Sequence, residues 1–375
     1  MKSKLMKMAV PAALALMAAA CGPAKSDEEG LKDALEGKFY MGAALNPHQF
    51  QGKDTASLEI IYSHFNSATA ENCMKGERIH PKEDAYLFGP ADSFIAFAGE
   101  HGMYTVGHCL IWHAQAPRWF FRDGDGNEVS REVLIERMRE HIMTVAGRYR
   151  GKVDVWDVVN EAFEDDGSWR ETPFYRIIGE EYVELAFRFA READPDAELI
   201  YNDYSMFHEG RRVAVVNLVQ GLKEKGIRVD GVGLQAHYGL DYPEMEELEK
   251  SIVAFAGTGA DIHITEMDIS VLPNPWSNMG AEISDRAEYR AFMNPYPGGL
   301  PDSMQVAMND RWAEFFDLFL KHEEKIKRVT TWGISDRWSW KNNYPIRGRT
   351  DYPLLFDRNY QAKPVVEEII KAAKP

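Results

Sequence analysis

Eight short apolar segments recur along the chain, at 38–45, 64–72, 103–113, 152–162, 197–204, 231–238, 261–269 and 328–336. Between them run longer stretches in which apolar residues return every three or four positions, as in "EVLIERMREHIMTVAGRY" from Glu132 and "EEYVELAFRFAREA" from Glu180. The short segments suit buried strands and the longer ones amphipathic helices. Strands that alternate with helices imply parallel pairing through right-handed crossovers. Eight such units, with no glycine-rich dinucleotide fingerprint after the first strand, favour closure into a single α/β (β/α)8 TIM barrel over an open doubly wound sheet. No repeat or internal linker divides residues 31–375, so the barrel is expected to be one domain.

Barrels of this kind carry their active sites at the C-terminal ends of the strands, so polar residues should gather there. Glu71 and Asn72 close the second segment, His108 and Trp112 the third, and Asn160 and Glu161 the fourth. Asn202 and Asp203, Gln235 and His237, Glu266 and Asp268, and Trp332 and Asp336 close the rest. In "GVGLQAHY", alternation puts Gln235 and His237 inward and Val232, Leu234 and Ala236 toward the helices. The same count groups Val106, His108, Leu110 and Trp112, turns Cys109 toward the helices, and sends His113 and His263 to the face away from the site.

Glu161 and Glu266 stand out because each ends an otherwise apolar run, where a charge is rarely buried without a partner or a task. Such a pair is the minimum equipment for glycoside hydrolysis: one carboxyl protonates the leaving oxygen, and the other attacks or activates water. Asn160 is a natural donor to a sugar hydroxyl, but alternation turns it and Glu161 to opposite faces. A bulge or twist is needed at this strand end if both serve the site.

These residues lie in ordered motifs: "GAAL" at Gly42, "ATAENCMK" at Ala68, "GHCLIWHAQAP" at Gly107, "WDVVNEA" at Trp156, "NDY" at Asn202, "GVGLQAHY" at Gly231, "ITEMDI" at Ile264, "TTWGISDRWSW" at Thr330, and "PLLFD" with "KP" at Pro353 and Lys363. Through them the chain resembles glycoside hydrolase family 10, the endo-β-1,4-xylanases, from about Leu31 to Lys371. The resemblance implies that Glu161 is the acid/base and Glu266 the nucleophile of a retaining double displacement. It implies that Glu71, Asn72, Lys75, His108, Trp112, Gln115, Asn160, Gln235, His237, Trp332 and Trp340 line the sugar subsites; Asp268, on the face of His237, would support the nucleophile. Xylan and xylo-oligosaccharides are the implied partners, with no cofactor and no metal. Two departures bear on the subsites: Gly76 stands where an aromatic is usual, and the segment 272–308 after Glu266 is long and rich in Pro, Gly and Asn. The alternatives are a related β-1,4-glycanase of the same fold, a metal-dependent barrel hydrolase using His108, His113, His237 or His263, and a non-catalytic glycan-binding lipoprotein. The metal enzyme would need paired histidines on one strand. The binding protein would keep the aromatics and lose a carboxylate.

Residues 1–20 have a basic start, an apolar run too short to span a membrane, and small residues before Cys21, the layout of a secretory signal. Cys21 after three alanines resembles a bacterial lipoprotein cleavage site, where the cysteine is lipidated, although Ala18 replaces the usual Leu. Residues 21–30 read as a polar tether whose acidic cluster resembles surface-export signals. An exported lipoprotein of the outer membrane or cell surface is expected, touching the membrane only through its lipid anchor; a periplasmic or secreted protein is the alternative. The net charge of -16 becomes -19 when Lys2, Lys4 and Lys7 leave with the signal, which disfavours nucleic acid as a partner. Cys73 and Cys109 have neither metal-type nor redox-type spacing and read as buried thiols, with a disulfide between them left open. "DGDGN" at Asp123 lacks the Gly and bidentate Glu of a calcium loop and reads as a turn.

Overall fold

Nine parallel strand segments form the inner layer of the computed structural model, which describes residues 29–273, 292–344 and 347–374. The expected signal, Cys21 and most of the tether lie outside the described residues, as do positions 274–291 of the long segment after Glu266. The strands are β1 (Tyr40–Leu45), β2 (Ser67–Ala70), β3 (Tyr104–Trp112), β4 (Val155–Asn160), β5 (Glu198–Asp203), β6 (Gly231–Leu234), β7 (His237–Gly239), β8 (Asp261–Ser270) and β9 (Ile326–Thr331). Consecutive strands pair with one another except β6 and β7, which both pair with β8, and β1 pairs with β9, which closes the ring. β6 and β7 are two pieces of one stave, both paired to β8, so the barrel has the eight staves anticipated. The expected single strand at 231–238 breaks at Gln235 and Ala236, where Ala236 takes a left-handed backbone (φ 61°).

A helix follows each stave and buries its apolar stripe on the ring. They are Thr55–His64, Gly89–Glu100, Arg131–Arg148, Glu181–Ala193, Glu209–Glu224, Met245–Ala256, Asp302–Lys321 and Pro364–Ala372. The helix at 302 begins inside the segment expected as a loop to residue 308, because Met308, Trp312, Phe315, Phe316 and Phe319 form an apolar stripe that packs into the core. Outward-facing Trp156, Val158, Leu199, Val232, Leu234, Ile262, Ile264 and Val329 belong to the same large core between the layers.

Inside the ring, Val106, Val155 and Ile200 make a small separate cluster. Next to it runs a buried polar column. Arg328 Nε donates to His263 Nδ1 (3.0 Å), Arg328 Nη1 donates to Thr330 Oγ1 (2.8 Å), Arg328 Nη2 lies 3.8 Å from Asp157 Oδ1, and Asp157 Oδ2 is 2.7 Å from His108 Nδ1. His263 therefore faces the interior, contrary to the alternation count. β8 shifts register against β9 between Ile262 and His263 and again between Ile264 and Met267, so parity cannot be carried along this strand. A shift between His108 and Ile111 in β3 has the same effect. Leu110 joins the outer core, and buried Cys109 feels Lys75, Asp157, Glu266 and Glu161 instead of facing the helices. Cys73 and Cys109 are both free thiols.

Candidate active site

Glu266 is placed by the second of the β8 shifts. Thr265 and Glu266 are sequence neighbours, yet both bond Asn202: Thr265 Oγ1 donates to Asn202 Oδ1 (2.7 Å), and Asn202 Nδ2 donates to Glu266 Oε1 (2.9 Å). Asn202 fits this position because Gly233 on the next strand has no side chain; a Cβ there would stand 2.4 Å from Asn202 Oδ1. The other oxygen of Glu266 lies 3.4 Å from His237 Nε2. Burial alone would raise the Glu266 pKa, but His108, His237 and Lys75 outweigh it and hold the group below the ordinary glutamate value. This is an ionised carboxylate in a nearly dry place.

His237 bridges two acids. Its Nδ1 lies 3.0 Å from Asp268 Oδ1, which is also 3.2 Å from Lys341 Nζ, while Trp340 Nε1 donates to Asp268 Oδ2 (2.8 Å). Burial pulls the imidazole pKa down, but Asp268 and Glu266 overcome it and push the value up to about 9. Burial likewise opposes the ionisation of Asp268, and His237 and Lys341 reverse that and lower its pKa. The imidazole is thus a fixed cation between two carboxylates at neutral pH.

Glu161 follows β4 with φ 61°, in the left-handed region. The register between β4 and β5 shifts between Asp157 and Val159, which supplies the anticipated irregularity, and Asn160 and Glu161 both turn to the same neighbours. Gln235 Nε2 lies 3.1 Å from Glu161 Oε1 and 3.2 Å from Asn160 Oδ1, while Asn160 Nδ2 lies 3.2 Å from Glu161 Oε1. Asn202 Nδ2 also donates to Asn160 Oδ1 (2.9 Å), so one amide network runs from Glu161 through Gln235, Asn160 and Asn202 to Glu266.

Around this pair stand the groups expected to hold sugar. Lys75 Nζ donates to Asn72 Oδ1 (3.0 Å), and Asn72 Nδ2 donates to Glu71 Oε1 (3.0 Å). Burial raises the Glu71 pKa against the pull of Lys75. The Lys75 ammonium lies 5.1 Å from the Trp112 ring centre and 5.5 Å from that of Trp332, tying the β2 loop to both indoles. Trp332 meets His108 edge-on at 5.2 Å, and Trp340 meets His237 at 5.1 Å. The buried Trp112 indole N–H has no acceptor among the described residues. Gln115 joins through its backbone: its carbonyl accepts the Glu77 amide (2.8 Å), and Gly76 packs beneath, where a Cβ would stand 3.3 Å from that carbonyl. Trp338, outside the expected lining, is half exposed and stacks on His48 at 5.7 Å.

Every residue of the expected set occurs at this end of the barrel. Sequence reasoning left Asn202, Thr265, Asp157 and Lys341 without a role. Asn202 had a visible signal, a polar strand end in "NDY"; Thr265 and Asp157 sit inside apolar runs, and only the register shifts reveal which way they face.

The family model described as Glycosyl hydrolase family 10 matches residues 30–372. Endo-1,4-beta-xylanase A of Xylanibacter ruminicola is 50% identical over 358 residues, covering 96% of this chain and 97% of the relative. Endo-1,4-beta-xylanase B of Paenibacillus barcinonensis is 38% identical over 335 residues, covering 89% and 95%. Among solved structures, a GH10 endoxylanase from a sugarcane soil metagenome superposes with a TM-score of 0.86 at 41% identity, covering 92% of this chain and 100% of that one. A mutant structure in complex with xylotriose superposes with a TM-score of 0.82 at 37% identity, covering 92% and 99%.

Proposed function

The chain belongs to glycosyl hydrolase family 10, and from that membership we propose that it is an endo-β-1,4-xylanase acting by retaining double displacement. The observation that carries the mechanism is the amide network joining Glu161 to Glu266, with Glu266 held ionised. In the first step a Glu266 oxygen attacks the anomeric carbon, the glycosidic C–O bond breaks, and Glu161 gives its proton to the departing oxygen. In the second, Glu161 takes a proton from water, whose oxygen displaces Glu266 and restores both carboxyls. Loss of charge on Glu266 in the intermediate favours this change of role, because the donor no longer faces an anion. Asn160, beside Glu161, would bond a hydroxyl of the reacting sugar, Asn202 would hold Asn160 and Glu266 in place, and Trp332 and Trp340 would offer apolar ring faces. Xylan as substrate is supported by the names of the relatives and by the xylotriose bound to a structural neighbour.

The two alanine variants test the roles. Glu266→Ala should lose activity on every substrate, and added azide should restore turnover to a product of inverted configuration. Glu161→Ala should keep the first step on aryl glycosides whose leaving group needs no proton while activity on xylan collapses. NMR of the first-formed wild-type product should show the β-anomer; the α-anomer appearing first would refute retention. Export with a lipid on Cys21 belongs to the same reading, supported by the basic, apolar and small-residue order of the first 20 positions. Radiolabelled fatty acid should enter the wild type and not Cys21→Ser; equal labelling of both would refute the anchor.

A further inference from the structure

The end of β5 faces two ways. Asn202 points inward to Asn160 and Glu266, and its neighbours Tyr201 and Asp203 point outward, fully buried between the ring and the helices. The Tyr201 hydroxyl donates to Asp203 Oδ2 (2.5 Å) and accepts the Ala162 N–H (3.0 Å), the amide immediately after Glu161. Other backbone groups around the left-handed Glu161 are held as well. The Glu161 N–H donates to the Asn202 carbonyl (2.9 Å), the Ala162 carbonyl accepts the Arg170 N–H (2.8 Å), and the Phe163 carbonyl accepts from Arg211 Nη2 (2.9 Å) and Arg170 Nη2 (3.0 Å). A non-glycine residue at positive φ persists only where its surroundings over-determine it.

We infer that Asp203, acting through Tyr201, is a positioning residue that fixes Glu161 for proton transfer. A backbone N–H can only donate, so the phenolic oxygen of Tyr201 accepts the Ala162 amide and turns its own hydrogen to Asp203 Oδ2, which fixes the ring between the two. Asp203 is held in turn: its Oδ1 accepts the Tyr204 N–H (2.9 Å) and lies 3.7 Å from Arg211 Nη1. Arg211 and Arg170 act on it with positive charge, from the helix Glu209–Glu224 and the loop after β4, while Glu161 acts from the residue just past β4, Tyr201 from β5 and Tyr182 from the helix Glu181–Ala193. Burial pushes the Asp203 pKa up to about 7, against Arg211 and with a further push from the negative charge of Glu161. The unit touches neither the sugar subsites nor the reacting atoms; its grip is on the backbone that aims the acid.

The inference rests on Glu161 being the proton donor, and the experiment separates the two. Tyr201→Phe removes the hydroxyl that joins Asp203 to Ala162 and leaves the pairing of Asp203 with Arg211 in place, whereas Asp203→Asn weakens that pairing and risks the fold. Both variants and Glu161→Ala are assayed on a series of aryl β-xylobiosides of graded leaving-group pKa. General acid catalysis is worth about 10²–10⁴-fold, so mis-aiming the acid should cost Tyr201→Phe on the order of tenfold in kcat/KM on the poorest leaving groups. The best leaving group should be cleaved at nearly the wild-type rate, giving a steeper leaving-group dependence. Equal loss across the series, or no loss anywhere, would overturn the positioning role. If Glu161→Ala itself showed no steepening, the acid assignment would be what failed.

Discussion

Asp268→Asn should change how folding stability responds to pH, because it removes the charge that does most to keep His237 cationic. The imidazole titrates from an ordinary value of 6.5 up to about 9 in the folded protein. At about 1.4 kcal/mol per pKa unit, that upward shift stabilises the fold by roughly 3 kcal/mol. The group is more basic folded than unfolded, so this contribution is complete below about pH 6.5 and disappears as the pH climbs to about 9. Asp268 runs the opposite way: its lowered pKa adds stability above the ordinary aspartate range, which is lost in acid. In the variant Glu266 remains as an anionic partner 3.4 Å from the ring, so part of the dependence survives, and Lys341 loses the carboxylate 3.2 Å away. Breaking such a buried set typically costs about 3–5 kcal/mol, so the variant should be less stable at pH 6 and should fall less between pH 6.5 and 9. Urea unfolding at pH 6, 7.5 and 9 measures both quantities. Curves that drop in parallel for wild type and variant would show that Asp268 does not hold the proton on His237.

Three further outcomes follow from the geometry. Gly233→Ala should displace Asn202, whose Oδ1 would lie 2.4 Å from the new Cβ, and should lower kcat on xylan far more than it lowers the melting temperature; an unchanged kcat would show that Asn202 does not hold the pair. Matched xylose and glucose oligomers should differ widely in kcat/KM, because Lys75, Gln115 and Trp340 should crowd the place of a glucose hydroxymethyl; comparable constants would refute that. Burial pushes the Cys73 thiol up to about 12 and Cys109 well above its ordinary value, so neither should react with a thiol reagent at pH 8 until denaturant is added, and rapid labelling of the native protein would contradict the packing.

The count of staves and the two glutamates that meet in one network were legible because both are written in local pattern: eight apolar runs, two of them ending in glutamate. Facing within a strand was legible only while the two-residue period held. It held at Gln235 and His237, which both reach the site although the stave breaks between them. It failed at Cys109 and His263, where β3 and β8 slip against their neighbours, and a single inserted residue reverses every later side chain. The partnership of Thr265, Asn202 and Glu266 was out of reach for a different cause. It depends on Gly233 leaving room, a relation between strands that no one strand records.

The polar column inside the ring has a consequence for anyone seeking a sturdier enzyme. Substitutions on the floor of such a barrel are ordinarily safe territory, since chemistry resides at the other end, and exchanging a buried ion cluster for hydrocarbon often raises stability. Here Arg328 leans on Asp157, Asp157 grips His108, and His108 helps keep Glu266 ionised. A designer who swapped Arg328 alone for leucine would leave Asp157 a buried charge without its cation, at a cost of about 3–5 kcal/mol, and would loosen the hold on His108 as well, because the floor and Glu266 share one electrical circuit.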